Sequence, residues 1–270
     1  MTLPNIPIGH AGRVTLPNTF MIEIKSRTNT IRLFADRLRF SDLFRLVLYC
    51  GYRGDHAKIP FYYHVIKGQS AETDLTQPMD AIVAQMDRNV RNKIRRAEKE
   101  GVTFGFVESL EEFVPFYNAF CASKGLADCT SVARMAKYGK KLVLTKAVHN
   151  GVVLAMHANL LDAESGVSLL IYSCSPRLAD GVDRNLISWA NRFLHYKDLE
   201  YLKEHGAKIY DWCGVCMDPA SECYTIGQFK LAFGGTLIDS WSLETPLYHL
   251  ASRLHPLVSR LRARLSHRRG

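Results

Sequence analysis

The sequence lacks any apolar run long enough to cross a membrane. Runs such as Leu154–Met156 and Leu169–Ile171 are far shorter than the roughly 20 residues that a spanning helix needs. Residues 1–12 have neither a basic start nor an apolar segment, so no signal peptide is readable. The seven cysteines are an odd number for a disulfide-framed secreted domain, and a reducing compartment suits them better. These absences predict a cytoplasmic protein.

Acidic residues are absent from residues 246–270, where six arginines lie among regularly spaced leucines. Without these six arginines the net charge of +9 falls to +3, so the rest of the chain is not broadly basic. That balance argues against a dedicated nucleic-acid-binding protein. The leucines recur every three or four residues, which predicts a basic amphipathic helix. It can lie on an anionic membrane face, pack on the protein or on a partner subunit, or stay disordered.

Internal repeats and low-complexity linkers are also absent, and the remaining patterns are those of a mixed fold. Apolar residues from Met79 to Ala97 recur at helical spacing and predict one long helix that stops at Gly101. The opposite face of this helix is cationic, through Arg88, Arg91, Lys93, Arg95, Arg96 and Lys99. A further helix is predicted around residues 42–49.

Three strand-like runs follow from Lys141, separated by turn residues, and predict an antiparallel meander. A helix over about residues 185–205, a short strand, a brief helix and a last strand complete the pattern. The fold class is therefore predicted as α/β (α+β), with a largely antiparallel sheet flanked by helices. Three regions are predicted: a small N-terminal αβ region with the basic helix over 1–100, a core over 101–245, and the amphipathic tail over 246–270.

Two stretches in this order resemble a known family. The first is Arg91-Asn92-Lys93-Ile94-Arg95-Arg96-Ala97-Glu98-Lys99-Glu100-Gly101. The second runs from Tyr201 through Tyr210-Asp211 to Gln228-Phe229-Lys230-Leu231-Ala232-Phe233-Gly234-Gly235. Over about residues 60–240 the chain resembles the Fem-like branch of the GNAT acyltransferases. That branch includes peptidoglycan-bridge aminoacyltransferases and relatives thought to acylate amino sugars.

The chain departs from the peptidoglycan enzymes of that branch in three ways. It is shorter than their usual pair of GNAT units and lacks the long coiled-coil arm that some carry for transfer-RNA contact. Trp212-Cys213-Gly214 also stands where relatives often show a glycine pair after the Tyr-Asp. These departures favour an acyl-CoA thioester over aminoacyl-tRNA as the acyl donor.

The resemblance to GNAT enzymes implies where the donor and the developing oxyanion lie. A backbone N–H of the strand over 152–161 is expected to stabilise the oxyanion. The carrier's pyrophosphate is expected at the N-terminus of the following helix, where unpaired N–H groups favour an anion. In this chain that place offers Arg177, Gly181, Arg184 and Asn185. An ordinary polar loop is the alternative.

Transfer of an acyl group to an amine also needs a base, and His157 is the leading candidate. It interrupts an apolar strand, and an unperturbed imidazole titrates near pH 6.5. The alternative is a histidine that is hydrogen-bonded in the core. Asp162 is a lesser candidate, while Asp211 can orient a base or bind the amine. The resemblance places Lys230 near the donor and acceptor, where it can stabilise charge or hold a phosphate.

Other side chains are candidates for substrate contacts. Tyr172, Ser173 and Ser175 can donate to the oxyanion or protonate the leaving thiolate, although a strand tyrosine often serves packing. Arg91 and Arg95 of the basic helix can grip a phosphate or a transfer-RNA backbone, or form a solvated face.

Cys213-x-x-Cys216, with Cys223 beyond it, invites a zinc interpretation. A structural site needs four ligands, and no second pair has suitable spacing. We therefore expect neither a metal nor a permanently bound cofactor.

The sequence thus predicts an N-acyltransferase that uses acyl-CoA as co-substrate and an amino sugar, linked to a nucleotide or a lipid, as acceptor in surface-polysaccharide biosynthesis. One alternative is an aminoacyl-tRNA-dependent transferase acting on a peptidoglycan precursor. Another is a catalytically silent GNAT-like module that recruits a membrane or a partner. A homodimer and peripheral attachment to the inner membrane face are further expectations.

Overall fold

The computed structural model describes residues 22–126, 129–176 and 183–254 and divides them into two compact units. One unit contains residues 69–238, and the other contains residues 22–68 and 239–254. The predicted boundaries at residues 100 and 245 differ from this division. The basic helix belongs with the larger unit, because its apolar face packs into that unit's core.

The larger unit is built on a mostly antiparallel sheet. Its strands are β4 (His64–Asp74), β5 (Thr103–Phe106), β6 (Leu142–His149), β7 (Val152–Asp162), β8 (Val167–Cys174) and β9 (Ile209–Asp211). They lie in the order β4-β9-β8-β7-β6-β5, and β4 begins in the smaller unit. β6, β7 and β8 form the predicted meander, whereas β8 and β9 are parallel. The predicted fold class is confirmed.

Helices flank this sheet. They are α1 (Met79–Gln85), α2 (Arg88–Lys99), α3 (Leu110–Ser123), α4 (Val132–Ala136), α5 (Arg184–Glu204) and α6 (Tyr224–Leu231). α2 and α5 contribute to one core cluster, in which Val90, Ile94 and Ala97 are buried. α3 covers a separate cluster around Phe113 and Met156. The two faces of the sheet therefore carry different cores.

The single long helix predicted over residues 79–97 is wrong, because the chain breaks at Met86 and Asp87. Both residues have extended ψ values, near 145°. The Asp87 N–H donates to the Ala232 carbonyl instead of continuing the helix. The guanidinium of Arg91 then satisfies the freed carbonyls at the end of α1, donating to Ala84 O at 2.9 Å and Met86 O at 2.8 Å.

The glycine pair of the Phe-Gly-Gly motif allows a close approach at this break. Gly234 has φ of +82°, and a Cβ there would lie 2.7 Å from the backbone of Gln85. Only glycine fits both the left-handed backbone and the missing space. The neighbouring Phe233 is fully buried in the same core.

The smaller unit contains β1 (Ile22–Lys25), β2 (Thr30–Leu33), β3 (Val47–Tyr52) and part of β10 (Thr236–Glu244). β1 pairs with β2 antiparallel, β2 with β3 parallel, and β3 with β10 antiparallel. The helix predicted around residues 42–49 is wrong. A short 3₁₀ turn over Phe40–Phe44 precedes β3, because Asp42 turns inward to a buried ion pair with Arg32.

The smaller unit also carries the start of the predicted amphipathic tail. Residues 246–254 are helical, which agrees with the prediction, and residues 255–270 lie outside the described residues. Leu247, Leu250 and Leu254 on this helix are exposed. Within the described ranges, no helix is both long and apolar enough to span a membrane.

Gly234→Ala should lower the free energy of unfolding by about 2–4 kcal/mol, since it adds backbone strain and overlap with Gln85. The matched control is Gly101→Ala, where φ is +75° but nothing lies within 4 Å of the new Cβ. Gly101→Ala should lower the free energy of unfolding by the backbone strain alone, about 1–2 kcal/mol. Denaturant unfolding of both variants measures the difference. Equal losses would contradict the proposed close packing.

Candidate functional site

His157 lies in a fully buried polar network that joins the sheet to helix α5. Its Nδ1–H donates to Asp198 Oδ2 at 2.6 Å, and its Nε2 lies 3.0 Å from Asn191 Oδ1. Thr145 Oγ1 donates to the second oxygen of Asp198 at 2.7 Å. Burying a carboxylate is costly unless such partners compensate it. The network is therefore a compensated buried polar cluster, and His157 itself has no exposed surface.

Strand alternation decides which predicted residues reach this network. Side chains of β7 alternate between the α5 face and the α3 face, so His157 and its neighbours at 156 and 158 lie on opposite sides. Ser173 is directly opposite His157 across the pair and donates to Asn191 Oδ1 at 3.4 Å. Tyr172 instead packs on Tyr117, with ring centroids 4.4 Å apart. The structure thus brings Ser173 near His157 and separates Tyr172 from both.

His195 stacks on His157, with ring centroids 3.9 Å apart, and is surrounded by aromatic rings. Trp212, Phe229 and Phe233 each lie within 5.5 Å of it, centroid to centroid. Burial lowers the pKa of His195 well below its usual value, and His157 adds to the shift. Its ring is therefore neutral near pH 7. Neither ring nitrogen has a hydrogen-bond partner among the residues that the structure describes.

A second polar group lies at the end of β9, where the chain turns sharply. Asp211 Oδ1 accepts hydrogen bonds from Ser70 Oγ at 2.5 Å and from the Cys213 N–H at 2.7 Å. Cys213 has φ of +57°, a left-handed conformation that glycine adopts more easily. This explains why a glycine suits the position in the related pattern. The turn directs the carbonyls of Cys213 and Gly214 toward helix α6.

Lys230 of α6 meets these carbonyls. Its ammonium donates to Cys213 O at 3.0 Å and to Gly214 O at 2.8 Å. Burial lowers the pKa of Lys230, whereas the nearby Cys213 and Asp211 act in the opposite direction. Asp211 and Lys230 therefore bring a carboxylate and a cation to one turn. We call Ser70, Asp211, Cys213 and Lys230 the β9 corner.

The residues around Lys230 pack next to the β9 corner. Phe229 and Phe233 pack on His195 from the same helix end, which leaves Lys230 directed toward the turn. Gly227 brings α6 close to the backbone of Cys216, where a Cβ would lie 2.6 Å from the carbonyl oxygen. The Phe-Lys motif therefore couples the buried aromatic cluster to the β9 corner.

Two other groups of predicted residues have different surroundings. At the N-terminus of α5, Arg184 and Asn185 are exposed, and the Asn185 N–H donates to the Asp183 carboxylate at 2.8 Å. Arg177 and Gly181 lie outside the described residues. In α2, the Arg91 guanidinium donates to backbone carbonyls at the end of α1. Arg95 is exposed and donates to Asn92 Oδ1. Ser175 is buried.

Two described groups of three side chains have ligand atoms close enough for a metal ion. They are His157, His195 and Asp198 in the core of the larger unit, and His64, Glu244 and His249 in the smaller unit. Neither includes a cysteine. Cys213, Cys216 and Cys223 do not form disulfide bonds with the other described cysteines.

Sequence reasoning missed several members of the site. Asn191, His195 and Asp198 are spaced by four and three residues, which places them on one face of α5. That spacing is a readable signal for a polar stripe on an otherwise apolar face. Ser70 is 141 residues from Asp211, and no local pattern in the sequence reveals their contact.

Comparisons with known proteins agree with this architecture. No protein-family model matches the chain. A lipid II:glycine glycyltransferase from Staphylococcus epidermidis is 31% identical over 83 residues, which cover 28% of this chain and 20% of that protein. A counterpart from Staphylococcus aureus matches to the same extent. The chain therefore matches about a fifth of the length of these relatives.

Solved structures match over most of the chain. The crystal structure of FemX has a TM-score of 0.60 at 14% identity, covering 85% of both chains. The C-terminal domain of a candidate lysylphosphatidylglycerol synthetase from Agrobacterium fabrum has a TM-score of 0.56 at 13% identity, covering 87% of this chain and 84% of that one.

The chain thus has a fold like that of FemX. In sequence it is similar over 83 residues to lipid II:glycine glycyltransferases, and the Fem-like resemblance seen in the sequence is confirmed.

The stability of the protein should depend on His195 at acid pH. Below about pH 6.5 the unfolded chain protonates this histidine, whereas the folded protein keeps it neutral. Unfolding then takes up a proton. The free energy of unfolding therefore decreases as the pH is lowered, by up to about 1.4 kcal/mol per pH unit. This window extends from about pH 6.5 down to the lowered pKa of the folded state.

His195→Phe should reduce this acid dependence, because the phenyl ring cannot bind a proton. Urea unfolding at a series of pH values measures the slope for the wild type and the variant. His205→Gln, which removes an exposed histidine at the C-terminal end of the same helix, is the matched control and should keep the wild-type slope. An unchanged slope in His195→Phe would contradict a neutral buried His195.

Proposed function

We propose that this chain is an aminoacyltransferase of the Fem-like type. Its donor would be an aminoacyl-tRNA, and its acceptor an amine of a lipid-linked cell-wall precursor. The observation that carries the proposal is the β9 corner, where Lys230 bonds to the turn that directly follows Asp211 in a FemX-like fold. The staphylococcal relatives are lipid II:glycine glycyltransferases, which supports the same class of acceptor.

The chemistry of this transfer needs the features that the corner offers. The acceptor amine attacks the ester carbonyl of the aminoacyl-tRNA, and a tetrahedral oxyanion forms. A new C–N bond forms, the ester C–O bond breaks, and the ribose hydroxyl leaves with a proton. Lys230 can stabilise the oxyanion, since a part-buried cation acts more strongly than one in water. Asp211 can hold the acceptor ammonium and accept its proton.

His157 remains a prediction as the general base. Its burial and its two hydrogen-bonded nitrogens support a positioning role, in which Asp198 and Asn191 hold β7 against α5. The acceptor amine cannot reach the buried His157 directly. A proton would have to be relayed to it through neighbouring groups such as Ser173, whose hydroxyl donates to Asn191. We therefore assign the proton-accepting role in the proposal to Asp211.

Two observations support an aminoacyl-tRNA as the donor in this proposal. At the N-terminus of α5, where a CoA pyrophosphate was expected, the Asp183 carboxylate already accepts the Asn185 N–H. The Asp183 carboxylate repels a phosphate group that approaches this position. The lipid II enzymes among the relatives are named for glycine transfer. An acyl-CoA donor with an amino-sugar acceptor remains the competing hypothesis.

The direct test measures transfer of radiolabelled amino acids from a charged tRNA pool to lipid II in detergent micelles. A parallel assay offers acetyl-CoA and longer acyl-CoAs with a panel of amino sugars and measures thiol release. Transfer that depends on charged tRNA supports the proposal. Thiol release that depends on one amine, without tRNA-dependent transfer, would establish the acyl-CoA hypothesis instead.

Lys230→Met should lower kcat/KM by roughly 100-fold or more, because it removes the cation from the developing oxyanion. The matched control is Lys197→Met on α5, whose ammonium pairs with Glu200 on the outer side. It should retain activity. Thermal melts separate lost chemistry from lost folding, since Lys230 also donates to two carbonyls. Activity of Lys230→Met within tenfold of the wild type would exclude the assigned role.

Transfer-RNA binding should depend on the exposed cations of α2. Arg88, Arg95 and Lys99 are exposed, whereas Arg91 is held at the end of α1. Arg95→Ala should weaken tRNA binding and reduce the slope of log K against log salt by about one. Lys124→Ala, at the exposed end of α3, is the control. Filter binding at several salt concentrations measures the affinity and the slope for the wild type and both variants. A slope for Arg95→Ala equal to that of the wild type would contradict a contact between Arg95 and tRNA.

A further inference from the structure

Four aromatic side chains of the smaller unit are exposed on two neighbouring loops. Phe40 is 77% exposed, Phe44 is 73% exposed and Phe61 is 97% exposed, while Tyr62 is 40% exposed. Contiguous exposed apolar surface on a protein marks an interaction site. These rings contribute little to the folded core, so their position needs another explanation.

The two loops border the same buried tyrosine. Tyr49 donates to Asp42 Oδ2 at 2.5 Å, and Asp42 lies between Phe40 and Phe44 in the 3₁₀ turn. The ring of Tyr49 also contacts Tyr63, with centroids 6.2 Å apart. Tyr63 contacts Tyr62, which in turn contacts Phe61. This chain of contacts links the two pairs of exposed rings through Asp42, Tyr49 and Tyr63.

The turn is folded so that the apolar rings point outward and the acidic group points inward. Asp42 is fully buried, where the Arg32 guanidinium and the Tyr49 hydroxyl lower its pKa against the effect of burial. Phe40 and Phe44 flank it and contact each other edge to face, at 6.1 Å between centroids. The turn therefore hides its negative charge and presents its hydrophobic side chains to solvent.

The exposed charges around these rings are mainly positive. Arg37, Arg39 and Arg45 are exposed beside Phe40 and Phe44. Asp36 and Glu23 each lie near one of these arginines, at 3.9 Å and 3.7 Å. The side chains of Arg37 and Arg39 nevertheless stay 78% and 53% exposed. Aromatic rings interleaved with arginines match an anionic lipid surface, where the rings enter the interface and the cations meet the headgroups.

We propose that Phe40, Phe44, Phe61 and Tyr62, with Arg37, Arg39 and Arg45, form a surface that docks on an anionic lipid bilayer. We call it the aromatic surface. It is distinct from the tail helix, and it goes beyond the proposed function, since docking needs no transferase chemistry. Its effect is to hold the protein at the interface where lipid-linked molecules lie.

The test is co-sedimentation of the full chain with vesicles of phosphatidylcholine, alone or mixed with phosphatidylglycerol. The wild type should bind the mixed vesicles more tightly, and binding should weaken with salt. Phe40→Ser/Phe44→Ser and Phe61→Ser should each weaken partitioning roughly tenfold or more, because an inserted ring loses its burial. Arg39→Gln/Arg45→Gln should lower binding to the mixed vesicles and reduce its salt dependence.

Two controls separate this proposal from its rivals. Val152→Ser removes a 53% exposed apolar side chain from the larger unit and should leave binding unchanged. Leu250→Ser/Leu254→Ser tests the tail helix. Thermal melts verify that each variant is folded.

Three results would overturn the proposal. The first is a wild type that does not bind the mixed vesicles. The second is loss of binding in the leucine variant together with full binding in the phenylalanine variants. The third is self-association of the chain that the phenylalanine variants abolish while vesicle binding persists. Because no outcome depends on acyl transfer, failure here leaves the proposed function standing, and the reverse also holds.

Discussion

The buried contact between His157 and Asp198 ties the central hairpin to helix α5, and much of the larger unit depends on it. A carboxylate in the core is tolerated only with complete compensation, here from an imidazole and the Thr145 hydroxyl. The same contact fixes the rotation of α5, which brings His195 over the aromatic cluster. Phe229 of α6 packs in that cluster, and Lys230 is the next residue of the same helix. Polar compensation in the core therefore helps to position the candidate site.

The β9 corner shows how backbone strain and polar chemistry coincide. Cys213 holds a left-handed conformation, and Asp211 stabilises it by accepting its N–H. Strained residues of this kind cluster at active sites and ligand-binding turns. Lys230 then occupies the carbonyls that the turn exposes. In the proposed function, a carbonyl or phosphate oxygen of the substrate would replace those protein carbonyls as the partner of the cation.

The elements that depend on local pattern were predictable. Alternating apolar residues and turn signals correctly indicated β6, β7 and β8, and the capping serine Ser109 begins α3 through a hydrogen bond to the Glu112 N–H. The break between α1 and α2 was not predictable, because its cause is the hydrogen bond from Asp87 to Ala232 in the distant Phe-Gly-Gly motif. The apolar periodicity continues across the break, since both helices face the same core.

Periodicity and two short stretches of sequence were enough to indicate the fold class and the Fem-like resemblance. Only the tertiary structure decided the environment of the site residues. It enclosed His157 between Asp198 and Asn191, used Arg91 to hold the end of α1, and brought Ser70 to Asp211. The physical reason is that a side chain's burial and charge partners depend on residues far away in the chain. Local pattern specifies backbone conformation but not the neighbours that set a group's chemistry.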